Sequence, residues 1–246
     1  MDKNFAIAYC LDNNIKYLEM VRESSRSLRK YNKSVPIHVV TTQKINNIYS
    51  KYFKDLNINL IRVNPIFNKF PHDKCLIGRL KIDNLLLIDC DTLIFGDIQK
   101  IFKLSKADIS ARLSFRYSKK WEQKYQNLWE NANNFLKIPV GPIINSGVVI
   151  FRNKSHLRLF KTWVEIIHKF INQEINEVYG DEWMFEQLSL SMAISKLDLR
   201  LHILQPKYHC FGWDSNELKP EKCLIIHTNS SKYCEIKKIL LEKKDS

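Results

Sequence analysis

Short apolar, β-branched runs recur along the chain: FAIAYCL (5–11), PIHVVTT (36–42), INLIRV (58–63), NLLLIDCDTLIF (84–95), ADISARLS (107–114), NSGVVIFR (145–152), LRLHILQ (199–205) and CLIIHT (223–228). Their length and branching predict eight buried strands. Between the first three runs lie patterns of helical period. Ile15, Leu18, Val21 and Leu28 fall on one face of a helix that Asp12 or Asn13 can cap, and a second helix runs through KINNIYSKYFKDL, residues 44–56. This βαβαβ rhythm argues for an α/β fold in which parallel strands carry helices on their faces, joined by right-handed crossovers.

From 115 to 142 the character changes. FRYSKKWEQKYQNLWENANNFLKIPVGP is rich in aromatics, Lys and Asn and has no clean period, which reads as a partly helical excursion over the sheet edge. NSGVVIFR is followed by a long amphipathic helix from Ser155, its expected N-cap, and by a second helix beginning at GDEWMFEQLSLSMAI, residues 180–194. Repeats, low-complexity tracts and linkers are absent. The expectation is one domain over 1–246, with a nucleotide-binding half (1–97) and an acceptor-binding half (98–246) that ends in a C-terminal helix.

The chemistry concentrates where the fourth run ends. Aspartate is a poor strand former and costly to bury, yet Asp89 and Asp91 stand one residue apart behind LLLI. In parallel α/β sheets ligands gather outside the carboxyl ends of strands, and residues two apart on a strand face the same side. Both carboxylates can therefore converge on one hard cation, Mn2+ or Mg2+, with phosphate oxygens and water completing the shell. The alternative is structural, with one Asp capping the next turn and the other pairing with a Lys or Arg. A second chemical alternative is a haloacid-dehalogenase-like phosphatase with Asp89 as nucleophile and Asp91 as acid/base, but that motif wants Thr or Val where Leu93 stands.

LLLIDCDTLIFGDIQKIF resembles the D-x-D strand and following helix of glycosyltransferase family 8, the group of glycogenin and the lipopolysaccharide galactosyltransferases. Three more segments follow in that family's order: the N-S-G strand at Asn145, Ser146 and Gly147; an acidic helix start at Asp181 and Glu182; and a late strand ending in His227. The resemblance implies a GT-A fold, a Rossmann-like mixed sheet flanked by helices. It implies sugar transfer from a nucleotide diphosphate donor, a UDP-sugar first among candidates, with metal held by Asp89, Asp91 and His227. Asn145, Ser146 and Gly147 would contact the donor. Asp181 or Glu182 would orient the sugar or act as base toward the acceptor, and family transfer retains anomeric configuration.

Tyr9 and Asp12 follow strand one, where such enzymes seat the base. Tyr9 stacks there or simply packs, and Asp12 binds the base or simply caps the first helix. Lys74 and Arg79 either face the diphosphate or are solvated at the surface. Trp121, Tyr125 and Trp129 stack on an acceptor sugar or pack in the interior. After the histidine the family commonly reads H-x-x-G-x-x-K-P-W, whereas HTNSSKYCE has Ser230 for Gly, Lys232 one residue early and no Pro-Trp. Lys232 is then the residue left to serve the diphosphate.

Composition adds a partner class. A net charge of +13 implies an acidic partner, and because the basic residues are scattered, no specific nucleic acid is expected; KKILLEKK near the C-terminus suggests a weak contact with an anionic membrane surface. The acceptor is a glycan, a lipid-linked glycan or a protein side chain; a noncatalytic module that binds a nucleotide sugar or another anionic ligand is the remaining alternative. The six cysteines are far apart without a C-x-x-C pair and are expected to be reduced, which favours a cytoplasmic home, peripheral to a membrane if the basic segment binds one. The first apolar run is too short for a signal peptide, and no run has the length of a membrane span.

Overall fold

The computed structural model describes residues 5–11, 14–45, 47–67, 72–114, 119–139, 141–172, 183–212 and 222–228. In chain order the first elements are β1 (Phe5–Leu11), α1 (Ile15–Tyr31), β2 (Ile37–Thr41), α2 (Asn47–Asp55), β3 (Ile58–Arg62), a 3-10 helix (His72–Arg79), β4 (Asn84–Ile88), β5 (Thr92–Ile94) and α3 (Gln99–Phe102). They are followed by β6 (Ile109–Leu113), α4 (Lys119–Leu136), β7 (Ile144–Phe151), α5 (Ser155–Ile171), α6 (Trp183–Lys196), β8 (Leu201–Ile203), β9 (Cys210–Phe211) and β10 (Ile225–His227). Each of the eight apolar runs contains a strand. The chain divides into two compact units: one holds Asn64–Leu87 and Lys106–Ile203, the other Ala6–Val63, Ile88–Ser105 and the chain from Leu204.

In the unit that begins at Ala6, β1, β2 and β3 pair in parallel in the order β3-β2-β1, as the βαβαβ rhythm requires. Leu18, Val21 and Leu28 of α1 are buried, but Ile15 is 65% exposed, because it is the first residue of the helix and its first turn projects past the packed face. The cap is Asn14, whose side chain accepts from the Lys16 N–H at 3.0 Å, in place of the expected Asp12 or Asn13. At the other end of α1, Arg29 donates to the carbonyls of Leu56, Asn32, Val35 and Asn57. The Asn32 amide meanwhile donates to Gly96 O and accepts from Ile98 N–H, which ties the end of α1 to the start of α3. A second, three-stranded sheet in this unit has the order β5-β10-β9.

The other unit carries strands in the order β4-β7-β6-β8. β6 runs antiparallel to β7 and parallel to β8, so the sheet is mixed, as the GT-A resemblance implies. Trp163 and Ile167 of α5 and Leu188 of α6 are buried. Ser155 does not cap α5: Lys154, at φ 61°, precedes the helix, and Ser155 is its first residue, donating its hydroxyl to Asp108 O at 2.9 Å. The stretch expected to be partly helical contains α4, 18 residues long.

Two further expectations are corrected. The run 84–95 is two strands, β4 and β5, and Asp89, Cys90 and Asp91 form the turn between them. The cysteines are not all reduced: Cys210 and Cys223 form a disulfide across 13 residues, packed with Ile226 and Phe95, while Cys10, Cys75 and Cys90 are buried thiols. Their apolar flanks resemble those of a reduced cysteine, so pairing left no local signal. No described helix is long and apolar enough to cross a membrane.

His156, at the start of α5, is 1% exposed; its Nε2–H donates to Leu80 O at 2.9 Å, and Nδ1 has no hydrogen-bond partner among the described residues. Burial lowers its pKa from 6.5, so below that pH the unfolded chain takes up the proton first. The stability present above pH 6.5 is therefore lost progressively as pH falls from there toward the ring's lower folded value. Urea unfolding at stepped pH should show this loss, with a slope of at most about 1.4 kcal/mol per pH unit from this ring, and His156→Gln should flatten it.

Candidate metal and donor site

The turn after β4 is held from behind by its backbone carbonyls. Thr92, first residue of β5, donates its hydroxyl to Asp89 O at 2.8 Å. Thr228, directly after β10, donates both its N–H (2.9 Å) and its hydroxyl (3.0 Å) to Asp91 O. Thr92 in turn shares a hydrogen bond of 3.1 Å with Ser24 of α1, and Ser24 one of 2.9 Å with the Tyr9 hydroxyl. With its main chain engaged inward, the turn directs both aspartate side chains to the same side as His227.

β10 pairs antiparallel with β5, setting His227 opposite Thr92. His227 Nε2 lies 3.2 Å from an Asp91 carboxylate oxygen and 3.6 Å from one of Asp89, and one ligand atom from each residue lies within 4.8 Å of the others. Ligand atoms that close can share one divalent cation, whose oxygen ligands stand at about 2.0–2.6 Å depending on the ion. The side chains are 24%, 15% and 12% exposed for Asp89, Asp91 and His227, so the donors are partly desolvated yet reachable. Two carboxylates and a neutral imidazole fit a hard or borderline divalent ion and leave coordination positions for phosphate and water. The convergence expected of Asp89, Asp91 and His227 is thus present, produced by a turn and not by alternation along one strand.

Tyr9, for which stacking and packing were both open, packs. Its side chain is fully buried, and burial pushes its pKa up to about 12. The sequence offered no signal for Ser24 or Thr92, whose roles arise only when α1 and β5 meet. His209 was also missed; its Nε2 lies 3.2 Å from His227 Nδ1.

The other unit holds Asn145, Ser146 and Gly147 within β7, a strand and not an isolated turn. Asn145 and Gly147 share a face, and the Asn145 side-chain oxygen accepts from Gly147 N–H at 2.9 Å. Ser146, on the opposite face, is buried and donates to Glu186 of α6 at 2.7 Å. Lys74, expected at a diphosphate or in solvent, is instead 4% exposed, with its ammonium 3.3 Å from both Glu186 and Ser146. Gln187 extends the network, accepting from Ser146 N–H and donating to Ser114 Oγ at 2.7 Å. The physical reason is placement: the 3-10 helix carrying Lys74 packs on α5 and α6, so its cation needs an interior partner. Arg79 is exposed, donates to Asn64 O and lies over the Phe160 ring. Trp129 packs in the interior, donating to Gly141 O at 2.7 Å. Asp12, Asp181, Glu182 and Lys232 lie outside the described residues, as do the side chains of Trp121 and Tyr125.

An α/β fold with a mixed sheet and an Asp-Asp-His cluster after a central strand defines the class of GT-A glycosyltransferases. The nucleotide-diphospho-sugar transferase family matches residues 83–240, most of the chain, and the protein belongs to that family. It is accordingly a glycosyltransferase enzyme, in line with the resemblance drawn from its motifs. Among solved structures, the galactosyltransferase LgtC, bound to donor and acceptor sugar analogues, is similar at a TM-score of 0.64, 14% identity and 94% coverage of each chain. The glycosyltransferase GlyE of Streptococcus pneumoniae is similar at a TM-score of 0.59 and 18% identity, over 90% of this chain and 54% of its own. Mouse xyloside xylosyltransferase 1 is similar at 0.58 and 14%, over 92% and 97%. These likenesses establish the fold. No curated protein matches the chain by sequence.

Two substitutions test the two networks separately. Thr92→Val removes the hydroxyl beneath Asp89 and should lower unfolding free energy by about 1–3 kcal/mol in urea titration. Lys74→Met takes the cation from a buried carboxylate and should cost about 3–5 kcal/mol by the same measurement, with Lys74→Met/Glu186→Gln recovering part of the loss.

Proposed function

We propose that the protein is a metal-dependent glycosyltransferase that moves a sugar from a nucleotide diphosphate donor, a UDP-sugar, to a glycan, lipid-linked or protein acceptor, with retention of anomeric configuration. The observation that carries the metal reading is the approach of Asp89, Asp91 and His227 ligand atoms to within 4.8 Å in a member of this family. These three side chains would hold Mn2+ or Mg2+. When bound, the ion supplies neutralisation of charge on the departing diphosphate.

The chain's own groups would do the rest. Asn145 presents an amide that both donates and accepts, suited to orienting a sugar hydroxyl, and Gly147 beside it permits close backbone approach. Asp181 or Glu182 would hold the transferred sugar, and Asp12, Arg79 and Lys232 would contact the nucleotide and its phosphates, as the family resemblance implies. Ser146 and Lys74 would support β7 from the interior and not touch the donor, consistent with their burial against Glu186. The +13 charge supports work at an anionic membrane surface. The buried thiols of Cys10, Cys75 and Cys90 suit a cytoplasmic site; the Cys210–Cys223 bond is the feature that does not follow from it.

A thermal-shift screen of nucleoside diphosphates with and without Mn2+ tests the reading. UDP should raise the melting temperature only when Mn2+ is present, and Asp91→Asn should abolish the shift. Indifference of the wild-type protein to every nucleotide and to Mn2+ overturns it.

A further inference from the structure

His209 stands on the side of His227 away from the carboxylates. It precedes β9, which pairs in parallel with β10 and sets Phe211 beside His227. The His209 side chain is fully buried. Its Nε2 lies 3.2 Å from His227 Nδ1, the two rings are nearly parallel at 21° with centroids 5.4 Å apart, and Phe211 meets the His209 ring edge-on at 4.8 Å. The disulfide from Cys210, the next residue, anchors the same segment.

A hydrogen bond between two neutral imidazoles needs one proton and can run in either direction. If His209 Nε2–H donates, His227 Nδ1 is the acceptor and the His227 proton sits on Nε2, pointed at Asp89 and Asp91. That arrangement occupies with a hydrogen the lone pair a metal ion would use. If instead His227 Nδ1–H donates to His209 Nε2, the His227 Nε2 lone pair faces the carboxylates and is open to a cation. Histidine ligands are commonly oriented in this way through their second nitrogen.

Resting on the metal reading of the site, we propose that His209 is the positioning residue for His227: by accepting from Nδ1–H it holds the ring in place and selects the tautomer that can ligate a divalent ion. It touches neither donor nor metal and acts through His227. A buried histidine suits this task because its ring packs against both Phe211 and His227 while presenting a nitrogen acceptor to His227 Nδ1.

The test is Mn2+ affinity of the full chain, stripped by chelation and titrated with Mn2+ while the free ion is followed by electron paramagnetic resonance. His209→Phe keeps the ring volume and removes the acceptor, and should weaken binding by about 10–100-fold. His209→Asn restores an acceptor oxygen and should recover most of that loss, which a purely space-filling role would not allow. Independently of whether either variant folds, nitrogen-15 NMR of the wild-type protein with Mg2+ should find the His227 proton on Nδ1. Wild-type binding with unchanged affinity in His209→Phe, or a His227 proton on Nε2 in the Mg2+-loaded protein, overturns the role of His209 alone. A wild-type protein that binds neither Mn2+ nor Mg2+ overturns the metal reading together with it.

Discussion

The candidate site depends on one constraint: the backbone carbonyls of the turn between β4 and β5 are tied inward so that its carboxylates converge. Two carboxylates a few ångströms apart repel each other, and a turn left to itself would splay them. Here the carbonyl of Asp89 is taken by the Thr92 hydroxyl and that of Asp91 by the N–H and hydroxyl of Thr228. Because Thr228 follows His227 directly, one residue fixes both Asp91 and the third ligand. The repulsion is thereby made available to a cation instead of being relieved by motion.

The second polar centre, around Lys74 and Glu186, obeys the opposite logic. Its charges are sealed from solvent, and Lys74 and Ser146 both engage Glu186 Oε2. An ion pair of this kind adds little net stability compared with apolar packing, but it enforces a particular seating of the 3-10 helix, β7 and α6, since any displacement would strand a charge. The face of β7 that carries Asn145 is thus braced by the residue beside it that points the other way.

Much of this was legible in the sequence, for specific reasons. Short apolar, β-branched runs must be buried, so each of the eight runs was visible as strand and only the two-residue β9 escaped among the described strands, and the paired aspartates behind LLLI had no comfortable structural use. His227 was visible because it ends such a run. The losses have equally specific causes. A single apolar run hides a turn when the turn residues are themselves flanked by β-branched Ile88 and Thr92, so β4 and β5 read as one strand. Lys74 reads as a surface residue because its partner Glu186 lies 112 positions away, and the Cys210–Cys223 pairing and the His209 contact likewise depend on proximity that only folding creates.

The order in which the chain visits its units carries a consequence for biosynthesis. The unit with the cation ligands is assembled from three separated stretches, and its third ligand sits on β10, more than a hundred residues after the aspartates. A polypeptide emerging from the ribosome cannot close this centre until β10 has left the exit tunnel. Until then the acidic turn waits beside an unfilled sheet position, and ion capture waits on a contact of long sequence separation.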